Sequence, residues 1–247
     1  MPVRIPERRL GYREDESDLS NADYSLLWPR SQERQRTMSE RTRRVYDLLA
    51  RIYPLSTYFF HSAAHKQALQ ISGIENGMRV LEVATGSGEM FRRLIRANPA
   101  GQTIGLDLSP KMAAQTQRVA KRKFPDATAV CQAVDARLMP FRDEQFDAVV
   151  CCYLLELLSS HDIQVVLREL HRVLKRRGTF TLVLIGEHTQ LFNHAYRVCG
   201  RLAPAFWGRQ VEQRTPEFLD TAGFKIVADE KLRQGFYPSR VISARRR

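Results

Sequence analysis

Short apolar runs, separated by turns and amphipathic stretches, recur over the last two thirds of the chain. Continuous apolar runs are typical of strands buried on both faces of a parallel sheet. Such runs predict strands at 78–83, 102–107, a segment before Cys131, 145–153, 179–185, 224–227 and 240–244. Apolar residues at helical spacing predict a helix over 161–175, ended by Arg176-Arg177-Gly178. Strands that alternate with helices indicate an α/β fold with a mainly parallel sheet, and the last strand is expected to fold back antiparallel.

The segments outside this pattern suggest three further units. Residues 1–36 are polar and dense in charge, so we expect a flexible N-terminal segment. Residues 37–74 look helical and are expected to form an N-terminal helical cap. Residues 75–247 would form the main domain, and its apolar insertion at about 186–214 is interpreted either as an ordinary covering helix or as a lid over an apolar substrate.

The first predicted strand leads into a glycine turn at Gly86-Ser87-Gly88. Glycine lets the backbone approach a ligand closely, and the helix that follows directs its free N–H groups toward it. A dinucleotide-binding turn would need a third glycine, but Phe91 stands at that position. Glu82, just before the turn, would be a poor neighbour for a pyrophosphate. The turn therefore favours a ligand with an ammonium group and no phosphate, and disfavours a nicotinamide dehydrogenase.

A second carboxylate follows the next predicted strand. Asp107 lies about 20 residues beyond the turn, the spacing expected for a group that accepts ribose hydroxyls. Ser109-Pro110 then provides a helix N-cap and a first-turn proline. Asp107 is therefore predicted to face the same ligand as the turn.

These residues together resemble a known family. Glu82-x-Ala84-x-Gly86-x-Gly88 resembles motif I of class I S-adenosylmethionine-dependent methyltransferases, (D/E)-x-G-x-G-x-G, with alanine at the first glycine. The pattern D-A-x-x-x-P-F at 135–141, followed by F-D-x-V at 146–149, is similar to the branch that includes ubiquinone and menaquinone C-methyltransferases. The resemblance implies S-adenosyl-L-methionine as cofactor and a Rossmann-like, mainly parallel seven-stranded sheet with helices on both faces and an N-terminal helical extension.

The resemblance also assigns cofactor-binding positions. Asp135 would accept the adenine N6 amine, and the backbone N–H of Ala136 would meet a ring nitrogen. Cys152 and Tyr153 would lie under the methyl donor, and Tyr53 would close over its methionine end, although Pro54 replaces the usual aspartate there. The implied cofactor-binding set is Tyr53, Glu82, Ala84, Thr85, Gly86, Gly88, Asp107, Leu108, Met112, Asp135, Ala136 and Cys152.

A carbon or oxygen acceptor also needs a base that removes a proton. The predicted catalytic residues are His188, which follows the fifth strand, and Tyr153. Other ionisable candidates are Glu156, His161 and His61. An amine acceptor would need no base, so C-, N- and O-methylation stay open.

Because the sequence does not name the methyl acceptor, several functions stay open. The leading one is methyl transfer to an apolar or amphiphilic small molecule, such as a quinone precursor or a lipid headgroup. Alternatives are methylation of RNA or protein, and a non-catalytic S-adenosylmethionine-binding domain. Nucleic acid is not favoured, because the N-P-P-Y acceptor motif is replaced by Cys151-Cys152-Tyr153-Leu154 and the residues behind the net charge of +12 are scattered. Arginine and aromatic residues in the insertion suggest peripheral contact with an anionic membrane, which stays an open expectation. The sequence does not fix the oligomeric state.

Composition bounds the cellular setting. The cysteines at 131, 151, 152 and 199 have spacings that fit neither a zinc site nor a disulfide framework, so no metal is expected. Residues 1–10 are charged rather than apolar, unlike a signal peptide, and the longest apolar run is too short to span a bilayer. We expect a cytoplasmic protein, with peripheral membrane contact as the open addition.

Overall fold

The computed structural model describes residues 53–186, 211–233 and 238–247, with side chains from residue 62 onward. Helices and strands alternate along these residues. The helices are α1 (Tyr53–Ile71), α2 (Glu89–Ala97), α3 (Pro110–Lys123), α4 (Ser160–Val173) and α5 (Thr215–Thr221). The strands are β1 (Arg79–Val83), β2 (Gln102–Asp107), β3 (Thr128–Ala133), β4 (Phe146–Cys152), β5 (Leu174–Ile185), β6 (Phe224–Leu232) and β7 (Ser239–Arg246). Short 3-10 turns lie at Leu155–Leu157 and Glu212–Arg214.

The seven strands form one sheet in the order β3-β2-β1-β4-β5-β7-β6. β1 to β5 pair in parallel, and β7 runs antiparallel to both β5 and β6. These pairings confirm the predicted mainly parallel sheet and its antiparallel last strand. Strand order reverses between β1 and β4, and ligands of such sheets bind at the carboxyl ends of the strands beside that reversal.

Helices cover both faces of the sheet, as predicted. On one face, α4 and α5 bury Val166, Leu170 and Phe218 against strand residues that include Phe180 and Ile242. On the other face, α1 and α2 pack against β1, β4, β5 and β7, while a smaller cluster joins α2 to α3 and β3. Burial of two apolar layers on one sheet is what gives these short elements their stability.

The junction between α4 and β5 differs from the prediction. The expected helix end at Arg176-Arg177-Gly178 is wrong, because α4 ends at Val173 and β5 starts at once with Leu174. Leu174 is fully buried and pairs with Phe146, whereas the next regular pair joins Thr179 to Ala148. The extra residues form an irregularity in which Arg177 takes a left-handed φ of 62°. Burial of Leu174 thus outweighs the basic, glycine-ended pattern that usually closes a helix.

Several predicted boundaries also shift or fall outside the description. β3 includes Cys131–Ala133, which the sequence pattern placed after the strand, and β6 and β7 extend beyond their predicted ranges. α1 lies within the predicted helical cap at 37–74. The predicted N-terminal segment at 1–36, and the insertion at 186–214 except for its two ends, lie outside the described residues. Among the helices that the structure describes, none is both long and apolar enough to cross a membrane.

Candidate active site

A cavity opens at the carboxyl ends of β1, β2, β3 and β4, beside the strand-order reversal. Its wall combines the glycine turn with the residues that follow three neighbouring strands. From the turn and β2 come Val83, Ala84, Gly86, Leu106, Asp107, Leu108 and Ser109; from β3 and β4 come Val134, Asp135, Ala136, Arg137, Cys152, Tyr153, Leu154, Leu157 and Leu158, with Val166 from α4. The fold thus brings together residues that lie up to 83 positions apart (Val83 and Val166).

The turn itself is built from left-handed backbone. Ala84, Gly86 and Gly88 have φ of 64°, 50° and 70°. The N–H of Ala84 donates to the Leu106 carbonyl at 2.8 Å, and that of Gly88 to the Thr85 carbonyl at 2.8 Å, which fixes this path. Gly88 also allows a close helix approach, because a Cβ there would lie 2.6 Å from Oγ1 of Thr116 on α3. Ala84 is the L-residue in a conformation that favours glycine.

Phe91 explains why no third glycine is needed in the helix. Its ring is fully buried, and the space for it comes from Gly105 on β2. A Cβ on Gly105 would lie 2.9 Å from Cε2 of Phe91 and 2.7 Å from Cγ2 of Thr85. The glycine that permits close packing of helix and strand therefore lies on the strand.

Asp107 connects the turn to the start of α3. Its Oδ2 accepts a hydrogen bond from the N–H of Gly86 at 2.7 Å, and its Oδ1 accepts from the N–H of Ser109 at 2.9 Å. The side chain lies in the cavity wall, as the spacing predicted. Two backbone donors thus orient a carboxylate whose remaining lone pairs can accept ligand hydroxyls.

Glu82 lies behind this wall rather than in it. It is 1% exposed, and its Oε2 has no hydrogen-bond partner in the described residues. Burial raises the pKa of its carboxyl well above the usual value, and the charge of Asp107 raises it further, while Arg92 opposes both. A buried carboxyl with an unsatisfied oxygen beside the turn is an acceptor for a cation.

Asp135 lies in the wall, but its carboxylate already has partners. Arg137 donates to both oxygens, through Nε at 3.1 Å and Nη2 at 2.7 Å, and its backbone N–H donates to Oδ1 at 2.9 Å. Arg137 also pairs with Asp162 on α4 at 3.3 Å. Contact between Asp135 and an adenine amine stays a prediction. The sequence analysis did not single out Arg137, although an arginine two residues after Asp135 is a pattern that can indicate such a pair.

Cys152 and Tyr153 close the wall at the end of β4. Tyr153 has a left-handed φ of 54°, and its N–H donates to the Val183 carbonyl at 2.8 Å. Its hydroxyl oxygen lies 2.8 Å from Oγ of Ser239 on β7. Backbone strain of this kind is retained where surrounding contacts hold it, which is common at functional sites.

Carboxyl groups surround Cys152. The pKa of its thiol is raised first by burial, and then by charges that include Glu82, Glu156 and Glu89. The charges of these carboxyl groups therefore act on this end of the cavity. A negative potential with little water nearby favours a cationic ligand over a neutral one.

The remaining predicted residues divide by position. Leu108 lies in the wall, as Ala136 does. Thr85, Gly88 and Met112 lie next to it in the fold but not in it: Thr85 Oγ1 lies 3.4 Å from Sγ of Cys131, and Met112 is 1% exposed in the first turn of α3. His161 is not part of the cavity wall, and its side chain is 83% exposed beside Asp162. Tyr53 begins α1, but its side chain, that of His61, and all of His188 lie outside the described residues.

Two residues that the sequence did not single out pack beside this part of the wall: His65 near Tyr153, and Glu89 against His65. His65 on α1 is 4% exposed, with its ring centroid 6.3 Å from that of Tyr153, and its Nδ1 lies 3.7 Å from Oε2 of Glu89. Glu89 is the first residue of α2. Only the folded packing of α1 on the sheet joins them, since 24 positions separate them in the chain.

Residues 80–178 match the family model of a methyltransferase domain. This match covers the turn, Asp107, Asp135 and Tyr153, the residues that form the cavity wall. The match covers 99 of the 247 residues, so this part of the chain is similar to the methyltransferase domain family. It agrees with the resemblance inferred from motif I.

Individual relatives extend the comparison. The chain is 32% identical to the demethylmenaquinone methyltransferase of Thermotoga maritima over 154 residues, 62% of either protein. It is 29% identical to the 2-phytyl-1,4-naphtoquinone methyltransferase of a Nostoc species over 143 residues, 56% of this chain and 62% of that protein. The chain thus matches less than two thirds of the length of these relatives. The magnesium protoporphyrin IX methyltransferase of Synechocystis, solved with bound SAH, shares the fold: the TM-score is 0.62 at 18% identity, covering 78% of this chain and 87% of that one.

The site fits the cofactor of that family by its own chemistry. S-adenosylmethionine carries a sulfonium and an ammonium, carboxyl charges act on the Cys152 end of the cavity, and Glu82 lies buried behind the wall with an unsatisfied Oε2. Asp107 supplies an oriented acceptor for the ribose. Within the described ranges, no three histidine, cysteine, aspartate or glutamate side chains cluster in a way that could hold a metal ion.

Proposed function

We propose that the protein transfers the methyl group of S-adenosylmethionine to an apolar small molecule of the quinone-precursor class. The observation that carries the proposal is the cavity in which a glycine turn and Asp107 meet the Cys152 end, on which carboxyl charges act. A dinucleotide phosphate would be repelled there, whereas a sulfonium would be attracted.

The acceptor class rests on two supports. The relatives described above are named for demethylmenaquinone and 2-phytyl-1,4-naphtoquinone, which are both apolar ring compounds. The cavity wall beyond Tyr153 is apolar as well, with Leu154, Leu157 and Leu158. An apolar wall with few polar groups is typical of sites for such molecules.

The cofactor, when bound, supplies a methyl group already activated by a positive sulfur. What the chain must do is hold the acceptor in line and exclude water. Tyr153 is suited to the first task, because its backbone and hydroxyl are both fixed by hydrogen bonds at the end of β4. The leucines of the wall are suited to the second.

Proton removal from an acceptor hydroxyl needs a base, and Glu156 is the described candidate. It lies between the wall residues Leu154 and Leu157 in the chain but is itself buried behind the wall, and burial raises the pKa of its carboxyl to about 7. A base works best with a pKa near the working pH. Its Oε1 accepts a hydrogen bond from the N–H of Ile185 at 2.6 Å. His188 follows Ile185 by three residues in the chain, so we keep it in the proposal as a second candidate base.

The direct test is methyl transfer to a defined acceptor. The full chain is incubated with S-adenosylmethionine carrying a labelled methyl group and with a chemically reduced demethylmenaquinone of short prenyl chain. We expect a labelled product heavier by one CH2 in mass spectrometry, and less of it with Asp107→Asn at the same cofactor concentration. Transfer of label into the RNA or protein fraction of a cell extract, but not into this acceptor, would overturn the acceptor class. Absence of cofactor binding in calorimetry would leave a domain without methyltransferase activity.

We also propose a cytoplasmic protein that touches anionic membranes when it meets a lipid-like acceptor. The support is indirect: the described cysteines are free thiols, as expected in a reducing compartment, and quinone precursors partition into bilayers. Flotation with vesicles of anionic phospholipid tests the membrane contact. Protein that stays at the bottom of the gradient, with and without acceptor, would contradict it.

A further inference from the structure

Asp107 lies between two sides of the cavity. Its Oδ2 accepts from the N–H of Gly86 in the glycine turn, and its backbone carbonyl accepts from the N–H of Val134 at 2.8 Å. A nucleoside whose ribose meets Asp107 therefore reaches the glycine turn on one side and residues 134–137 on the other. The apolar residues that line this second side are Val134, Ala136 and Val166. Such a wall suits a flat base better than it suits a charged amino acid part.

Asp135 and Arg137 are the charged residues on this side. Among the described residues that line the cavity, Asp107 is the only other one with a charge. Arg137 covers both oxygens of Asp135: its backbone N–H and Nε lie on Oδ1 at 2.9 Å and 3.1 Å, and its Nε and Nη2 lie on Oδ2 at 3.1 Å and 2.7 Å. An ionised carboxylate has about four lone-pair positions. These contacts therefore leave Asp135 without a lone pair for a ligand.

The guanidinium of Arg137 is also anchored away from Asp135. Its Nη1 lies 3.3 Å from Oδ1 of Asp162 on α4, and Oγ of Ser159 donates to Oδ2 of Asp162 at 2.7 Å. Hydrogen bonds with Asp135, and then with Asp162, outweigh burial and raise the pKa of Arg137 above its usual value. A ligand would have to break a charged pair that both ends of the guanidinium hold in place.

We propose that Arg137 shields Asp135 from the bound nucleoside, so that the site selects the ribose and the shape of the base but makes little use of an amine on that base. The inference rests on the proposed function, since the nucleoside is that of S-adenosylmethionine. An amine is a neutral donor, and a hydrogen bond between two charged groups is roughly twice as strong as one between neutral groups. The amine therefore does not displace Arg137. Loss of the arginine would expose a carboxylate that can accept the amine.

Calorimetry with two nucleosides measures what the amine contributes. 5′-Methylthioadenosine has the same adenine, ribose and sulfur as S-adenosylmethionine without the amino acid part. The 5′-methylthio derivative of purine riboside carries a hydrogen in place of the amine and keeps every ring nitrogen. We expect the unchanged protein to bind the two within about threefold of each other, because a carboxylate without a free lone pair gains nothing from the amine. Displacement of S-adenosylmethionine by either nucleoside extends the measurement to weak binding.

Substitution of Arg137 should create a preference that the unchanged protein lacks. Arg137→Met frees the oxygens of Asp135, so we expect the adenine compound to bind about tenfold more tightly than its analogue, or more. Arg137→Lys keeps the charge but cannot cover both oxygens, and it should raise the same ratio. Arg168→Met, on the exposed side of α4 and outside the cavity wall, is the matched control and should leave the ratio unchanged. Thermal unfolding of each variant checks that the fold is retained.

The outcomes distinguish the inference from the proposed function. If the unchanged protein does not bind S-adenosylmethionine, the proposed function fails. If it binds S-adenosylmethionine and already prefers the adenine compound by about tenfold or more, an acceptor reaches the amine and the inference is overturned. A ratio that stays near one in Arg137→Met, or that rises there but not in Arg137→Lys, also overturns it, because coverage of the oxygens is then not the cause. A ratio near one that rises in both variants supports it.

Discussion

The ring of Phe91 occupies the space that a side chain on Gly105 would need, with a Cβ at position 105 placed 2.9 Å from its Cε2. Gly105→Ala should therefore destabilise the fold by about 2 kcal/mol, since overpacking a filled core forces its neighbours to move. Urea unfolding followed by circular dichroism measures the change.

Phe91→Leu provides the control for that contact. If the alanine methyl at position 105 and the ring of Phe91 compete for one space, Gly105→Ala will lower the free energy of unfolding less in the Phe91→Leu background than alone. The double-mutant cycle will then give a coupling of about 1 kcal/mol. Additive effects would mean that Thr85 or Cys131, which also approach the Cβ position, set the cost instead.

Ala84→Gly should stabilise the protein, against the usual effect of adding glycine. Ala84 has a φ of 64°, a conformation that costs an L-residue about 1–2 kcal/mol. Greater freedom of the unfolded chain removes part of that gain, so we expect about 0.5–1 kcal/mol of net stabilisation. The matched change is Gly88→Ala, which adds both a left-handed alanine and a clash with Thr116 and should destabilise. A loss of stability for Ala84→Gly would show that the turn tolerates alanine without strain.

Asp107→Asn should weaken the binding of S-adenosylmethionine and 5′-methylthioadenosine by the same factor. Asp107 is expected to face the ribose, which both compounds share, and loss of a charged hydrogen bond costs about 1.5–3 kcal/mol. Calorimetry would then show a loss of about tenfold to a hundredfold for each. A loss confined to S-adenosylmethionine would place Asp107 against the amino acid part.

Glu156 should make stability depend on pH. Burial raises the pKa of its carboxyl from 4.5 to about 7, so the folded protein keeps a proton that the unfolded chain releases above pH 4.5. The folded state then binds more protons, and this contribution to stability falls as pH rises from about 4.5 to 7. The loss is on the order of 3–4 kcal/mol, at about 1.4 kcal/mol for each pKa unit.

Glu156→Gln removes that dependence while keeping an acceptor for the N–H of Ile185. We expect the variant to be more stable than the unchanged protein at pH 8 and little different at pH 4.5, as measured by urea unfolding at both values. Equal slopes of stability against pH in the two proteins would mean that Glu156 titrates normally. Methyl transfer to a hydroxylated acceptor should fall in the same variant if Glu156 is the base.

Local patterns of sequence were sufficient for the turn, for Asp107 and for the positions of most strands along the chain. Each of these depends on residues close together in the chain, such as Glu82, Gly86 and Gly88. The start of β5 at Leu174 was mispredicted, because basic residues followed by Gly178 imitate a helix end while the deciding contact, with Phe146, is 28 positions away.

The unexpected site residues share that cause. His65 meets Glu89 and Tyr153 only because α1 packs on the sheet beside β5 and β7. Arg137 saturates Asp135 through a side-chain rotamer that also reaches Asp162 on α4, and no spacing rule encodes that arrangement. Sequence alone therefore locates the cofactor turn well, but it does not locate the charged residues that pack behind the turn and around Asp135.

Burial of Glu82 has a consequence for the calorimetry itself. Because burial raises the pKa of this carboxyl well above its usual value, it holds a proton more readily than an exposed glutamate does. Arrival of a cation beside it favours the ionised form, so uptake of the ligand expels protons into the buffer. The observed enthalpy will then vary with the ionisation heat of the buffer chosen, and affinity will rise with pH. Binding would then replace the proton on Glu82 with the positive charge of the ligand, so the net charge of the site would change little.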